Sequence, residues 1–232
     1  MTTWHEVYQR YGLHTETPEE QSFWRRLCHP PAFHRPAPPP EHRLRFIMGM
    51  IAYHSGALEG APWNQWELHA DALYNAFCAG QEHKRLNMYH FLTWHRAILP
   101  HGGSLRTLDP VSVGMGESFR PEPAITLGAK VNQFVLNYTE PLIAQGKVLP
   151  HLTLAVLHFN QWRMHPFADG NKRHARLMTV YGCGWLGLPP VDITLAEKAR
   201  YLDALAGADL PALARLFRDC AVSSFFEVSQ TS

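Results

Sequence analysis

Between Leu149 and Tyr181 an apolar, helix-compatible stretch gives way to a polar run and then to a second helical pattern. Leu149 to Met164 is apolar or aromatic on nearly every side, which fits a helix buried all round. The helical pattern resumes from Ala175 to Tyr181. Two such helices must share one core, so the polar run is confined to the loop between them and the first turn of the second. That run, His165-Pro-Phe-Ala-Asp-Gly-Asn-Lys-Arg-His-Ala-Arg176, holds an imidazole, a carboxylate, a Gly-Asn turn and three cations. Chemistry at a phosphate needs a group to take a proton, a ligand for a hard metal, and positive charge facing the phosphate oxygens. A helix start adds unpaired backbone N–H groups and the positive end of the dipole.

The remaining patterns predict an all-α helical bundle with one small β element. Helices are expected over Leu44–Ala57, from an Asn64-x-x-Glu67 cap to about Cys78, over Leu86–Leu99, and over Leu127–Ile143. A capping box at Thr194–Glu197 should open a helix to Ala206, and Asp209 should cap another reaching Phe226. Ser104 to Glu122 has no helical period; its Val111-Ser-Val113 is β-compatible and predicts a loop or short hairpin. Residues 1–43 read as an N-terminal helical extension with a Pro-rich strap over 29–40, and 44–226 as one unit.

Several function classes lose support. A net charge of +1 offers no field for nucleic acid or an anionic membrane. No run approaches the roughly 20 apolar residues of a membrane span, and the opening residues lack a signal-peptide pattern. Cys28, Cys78, Cys183 and Cys220 form no Cys-x-x-Cys pair and suit a reducing compartment, so a cytoplasmic location is expected. His151 and His158 share a helix face without an evident third ligand, and no zinc or iron site is expected. Within the polar run, Phe167 should anchor the loop in the core, Pro166 should stiffen it, and His174 should face solvent.

The run resembles the Fic motif, His-x-Phe-x-(Asp/Glu)-Gly-Asn-Gly-Arg-x-x-Arg, at every specified position except Lys172, where a second Gly is usual. Ser55-Gly-Ala-Leu-Glu59-Gly60 resembles the inhibitory motif, (Ser/Thr)-x-x-x-Glu-(Gly/Asn), of Fic proteins that carry their own brake. The resemblance implies a Fic-type helical bundle with a β-hairpin flap, placed at about Arg106–Met115, that docks a target. It implies AMP transfer from ATP to a hydroxyl of a target protein, with His165 as base, Asp169 holding Mg²⁺, and Gly170, Asn171, Lys172, Arg173 and Arg176 binding the nucleotide. Ser55 and Glu59, on an inhibitory helix at about 44–60, would block Arg176. Self-modification and a homo-oligomer are compatible with this reading. Two other reactions stay open. Doc-type relatives share the Asn-Lys-Arg sequence and transfer the γ-phosphate, and Glu59 could instead orient a water for AMP removal.

Overall fold

The computed structural model describes residues 39–60, 66–99, 101–109, 120–144, 149–222 and 225. The expectations for residues 1–38, for the Asn64 cap, for Val111 and Val113 in the flap, and for the tail past 226 lie outside them. Among the described residues the fold is helical: α1 (Glu41–Leu58), α2 (Trp66–Gln81), α3 (Met88–Ile98), α4 (Ala124–Asn137), α5 (Thr139–Ala144), α6 (Pro150–Met164), α7 (Asn171–Leu186), α8 (Lys198–Ala206) and α9 (Leu210–Asp219). The described flap residues Arg106–Asp109 form no strand; β pairing appears as an isolated antiparallel bridge between Val191 and Ala221. No helix among the described residues is long and apolar enough to cross a membrane.

The motif helix α7 runs through the centre, with all of Asn171–Trp185 buried except Lys172. It packs between α2 and α6, while α1 lies against α2 and α9 covers α6. At the α2–α7 crossing, Gly80 and Gly184 let the two backbones meet, since a Cβ on either would overlap the other helix's main chain. Chain geometry fixes the ends that matter for the site. Pro150 occupies the first turn of α6, and His165 closes that helix in the left-handed region. Gly170 opens α7 and Gly187 closes it, both left-handed.

Three boundaries differ from expectation. The single helix over Leu127–Ile143 is split at Tyr138, because Pro141 has no N–H for the Asn137 carbonyl and its ring crowds that group. The capping box at Thr194 is not made. Glu197 bonds Arg200 at 2.9 Å instead, and Leu195–Glu197 form a single 3₁₀ turn before α8. Asp209 does cap α9, accepting from Ala212 N at 2.8 Å. That helix stops at Asp219 rather than near Phe226, because the exiting chain pairs with residues 190–192: Val222 N donates to Pro190 O at 3.0 Å and Asp192 N to Cys220 O at 2.9 Å.

Candidate active site

The loop is built from inside outward. Phe167 is fully buried, its ring stacked on His95 with centroids 3.5 Å apart. Asn171 braces it: Phe167 N donates to Asn171 Oδ1 at 2.9 Å, and Asn171 Nδ2 donates to Phe167 O at 2.8 Å. The Asn171 side chain is thereby committed within the loop. His95 Nδ1 accepts from Gly103 N at 2.9 Å, so its proton is on Nε2, which donates to Asp169 O at 2.9 Å. Gly170 has φ +74°, and a Cβ there would lie 2.8 Å from Leu99 Cδ1. This turn therefore requires glycine.

His174 does not face solvent. It is fully buried, accepts from Gln161 Nε2 at 2.6 Å through Nδ1 and donates to Phe91 O at 2.9 Å through Nε2. The aromatic shell of Phe91, His95 and Phe167 surrounds it, and removing it to water would leave those polar partners unmatched.

The guanidinium of Arg176 is fully engaged. Its Nε donates to Ser55 Oγ at 2.9 Å, its Nη2 to Ser55 O at 2.9 Å, and Nη1 and Nη2 both reach Glu59 Oε1 at 3.1 Å. The other Glu59 oxygen pairs with Lys172 Nζ at 3.0 Å. With its side chain only 20% exposed, Glu59 is raised in pKa by burial, but Arg176 and Lys172 outweigh that and hold it below the usual carboxylate value. Tyr201 backs Arg176 from beneath, its ring centroid 5.6 Å from the guanidinium carbon. Its hydroxyl bonds His158 Nε2 at 2.9 Å, and His158 Nδ1 bonds Thr179 Oγ1 at 2.9 Å.

Arg173 lies beside this pair. Its Nη2 is 3.7 Å from Asp169 Oδ2, and its buried Nε has no hydrogen-bond partner among the described residues. Burial lowers its pKa. A buried guanidinium with an unmatched N–H, next to the first-turn amides of α7, is matched to an anion. Asp169 is 79% exposed at the loop tip, and its Oδ1 accepts from Gly170 N at 2.5 Å. Among the described residues no three His, Cys, Asp or Glu side chains are grouped to hold a metal. A lone exposed carboxylate of this kind fits a hard ion such as Mg²⁺ only where phosphate and water supply the remaining ligands.

The half-buried His165 imidazole has its pKa lowered by burial, with Arg106 and Lys172 acting in the same direction and Asp169 against. Burial also holds His69 at about 3, His95 at about 4 and His158 at about 3. These rings stay neutral and add no positive charge to the arginine cluster. The expected residues thus fall into one neighbourhood drawn from α1, the 165–170 loop and α7. Arg106, His95, His158 and Tyr201 were not anticipated as its supports. The sequence marks each only as a polar residue near an apolar helix or a loop, and their partners are distant in the chain.

A helical bundle that presents an imidazole and a carboxylate from the loop between two buried helices, and paired guanidiniums from the first turns of the second, has the Fic type of architecture. Residues 85–182 match the model of the Fic/DOC family. Ser55, Glu59 and Tyr201 lie outside that span. The chain is 28% identical over 141 residues to protein adenylyltransferase fic-1 of Caenorhabditis briggsae, covering 59% of this chain and 27% of that protein. It therefore spans about a quarter of the length of that curated relative. Among solved structures, a Fic domain containing signaling protein from Bacteroides thetaiotaomicron superimposes with TM-score 0.69 at 20% identity, covering 89% of this chain and 93% of that one. Fic-1 from C. elegans superimposes with TM-score 0.61 at 20% identity, covering 89% and 68%. At these identities the likeness is one of fold.

Proposed function

We propose that this protein is an adenylyltransferase that moves AMP from ATP to a hydroxyl side chain of a target protein, and that Glu59 holds it off. The observation that carries the reading is the Glu59–Arg176–Ser55 clasp at the mouth of an anion cradle. His165, half-buried at the end of α6, is the imidazole that meets an incoming Ser, Thr or Tyr hydroxyl. His165 takes the hydroxyl proton as the oxygen bonds the α-phosphorus, the bond from that phosphorus to the bridging oxygen breaks, and pyrophosphate leaves. Arg173 and the first-turn amides of α7 hold the polyphosphate, and Arg176 holds its far end once Glu59 withdraws. Bound at Asp169, Mg²⁺ supplies charge neutralisation on the phosphate oxygens.

A shielded charge-assisted pair contributes about 1.5–3 kcal/mol, so removing Glu59 should strengthen Mg·ATP binding roughly ten- to a hundredfold. Glu59→Gly is expected to show this in calorimetry and to gain self-label from α-labelled ATP. Label arriving only from the γ position would replace AMP transfer by phosphorylation. Unchanged binding would remove the brake.

A further inference from the structure

Arg106 is the first residue of the expected flap, and its side chain bonds main-chain carbonyls and Asp109 rather than the anion-site side chains among the described residues. Its side chain is 4% exposed. The Nε donates to His165 O at 2.7 Å, and Nη2 reaches Met164 O at 3.4 Å and Glu122 O. Nη1 bonds Leu108 O at 3.1 Å and Asp109 Oδ1 at 3.3 Å, while the Arg106 backbone N donates to Pro166 O at 3.0 Å. The same Asp109 oxygen accepts from Ala124 N at 2.6 Å, at the first turn of α4.

We propose that Arg106 is the positioning residue of His165: its guanidinium, seated on the last carbonyls of α6, fixes the turn from which the imidazole projects and ties that turn to both stems of segment 106–124. This rests on His165 acting as the base. Three facts favour it. The carbonyls that end a helix lack intrahelical partners and carry the negative end of the dipole, so a planar cation with several donors is the natural cap. His165 sits at φ 50°, a region that costs a non-glycine residue about 1 kcal/mol or more and persists only when its surroundings enforce it. Every Arg106 side-chain nitrogen already donates within the protein, so its effect on chemistry runs through His165 rather than through substrate.

The charges facing His165 are Arg106, Lys172 and Asp169. Arg106→Gln removes a cation, so the imidazole pKa must rise and the acid limb of the rate profile must move to higher pH. Arg106→Lys keeps the charge but not the fork, so it should leave that limb near its place and still lose rate. The variants belong in the Glu59→Gly background, with single-turnover self-labelling from α-labelled ATP against pH and Mg·ATP affinity by calorimetry. A His165 imidazole titration by NMR, assigned by difference with His165→Gln, completes the set. Both variants should be roughly ten- to a hundredfold slower with ATP affinity held within about twofold. A rate unchanged, or lost in proportion to ATP affinity, overturns the proposal. Should Arg106→Gln fail to fold, Asp109→Asn keeps the guanidinium and loosens its tie to α4; a rate equal to its parent's then overturns the tie to the stems. Should the Glu59→Gly parent itself be silent, the transferase reading falls. The NMR titration still decides for Arg106: an unmoved His165 pKa in Arg106→Gln overturns it, and an upward shift sustains it.

Discussion

Glu59 lies between two cations, and the second of them departs from the motif it otherwise matches. Where Gly is usual, Lys172 places an ammonium 3.0 Å from the Glu59 oxygen that Arg176 leaves free. In sequence Lys172 reads as a phosphate-facing cation; in the structure it pairs with Glu59, the proposed brake. The two roles predict opposite signs. With Glu59 present, Lys172→Gln should strengthen Mg·ATP binding roughly two- to fivefold, the range of a partly exposed ion pair. In the Glu59→Gly background the same substitution should weaken it, because only the phosphate contact remains to lose. Calorimetry on the four proteins checks this, and an effect of one sign in both backgrounds excludes the brake role. Arg176, Ser55 and Glu59 were legible in the sequence because their pairing follows from residue type and a family spacing. Lys172's choice of Glu59 was not, since it depends on α1 lying across the first turn of α7. His174 misled for a related reason: an imidazole is apolar enough to bury once Gln161 and Phe91 match both nitrogens, and neither partner is visible from position 174.

At the scale of elements, α1 delivers Glu59 and is fastened at both ends. Its buried face, the apolar Leu44, Ile47, Met48, Ile51, Ala52 and Leu58 with the polar Ser55 among them, follows helical spacing and was readable as such. Near its start, Arg45 covers the Tyr74 ring of α2 at 4.0 Å and pairs with Asp71. Near its end, His54 Nδ1 lies 2.9 Å from both carboxylate oxygens of Asp192, in the segment after α7. Burial raises the Asp192 pKa, and His54 offsets part of that rise. This pair holds the last turn of α1 where Glu59 meets Arg176, so His54→Ala should loosen the clasp without touching it. Mg·ATP affinity should rise about two- to fivefold, the effect of a part-buried pair, and the same change in the Glu59→Gly background should do nothing. A gain in both backgrounds would place His54 outside the brake. The pairing itself was illegible, because it joins residues 138 apart. Breaks such as the one at Pro141 are local and could have been read from the proline alone.

For the whole molecule, one core carries both the candidate site and the proposed brake. Ser55 and Glu59 come from α1, which rests on α2, and Arg176 comes from α7, which crosses α2 at Gly80 and Gly184. The crossing distance sets how close α1 can come to Arg176, and two glycines set the crossing distance. Gly→Ala in a helix interior normally stabilises by about 1 kcal/mol through propensity. At Gly184 the new methyl would overlap the Phe77 carbonyl, which is helix backbone and cannot rotate away. Overpacking of that kind costs about 1–3 kcal/mol or more and should exceed the propensity gain. Gly128 in α4 is the contrast: it is exposed, with no heavy atom within 4 Å of an added Cβ. Gly128→Ala should therefore raise the melting temperature by about 2–4 °C, and Gly184→Ala should lower it by at least as much. Differential scanning calorimetry reads both. The Gly184→Ala protein should also bind Mg·ATP with altered affinity, since α7 cannot move from α2 without shifting Arg176 against Glu59. Equal upward shifts for the two alanines would mean that the helices have room at the crossing, and the link from core spacing to brake geometry would fail.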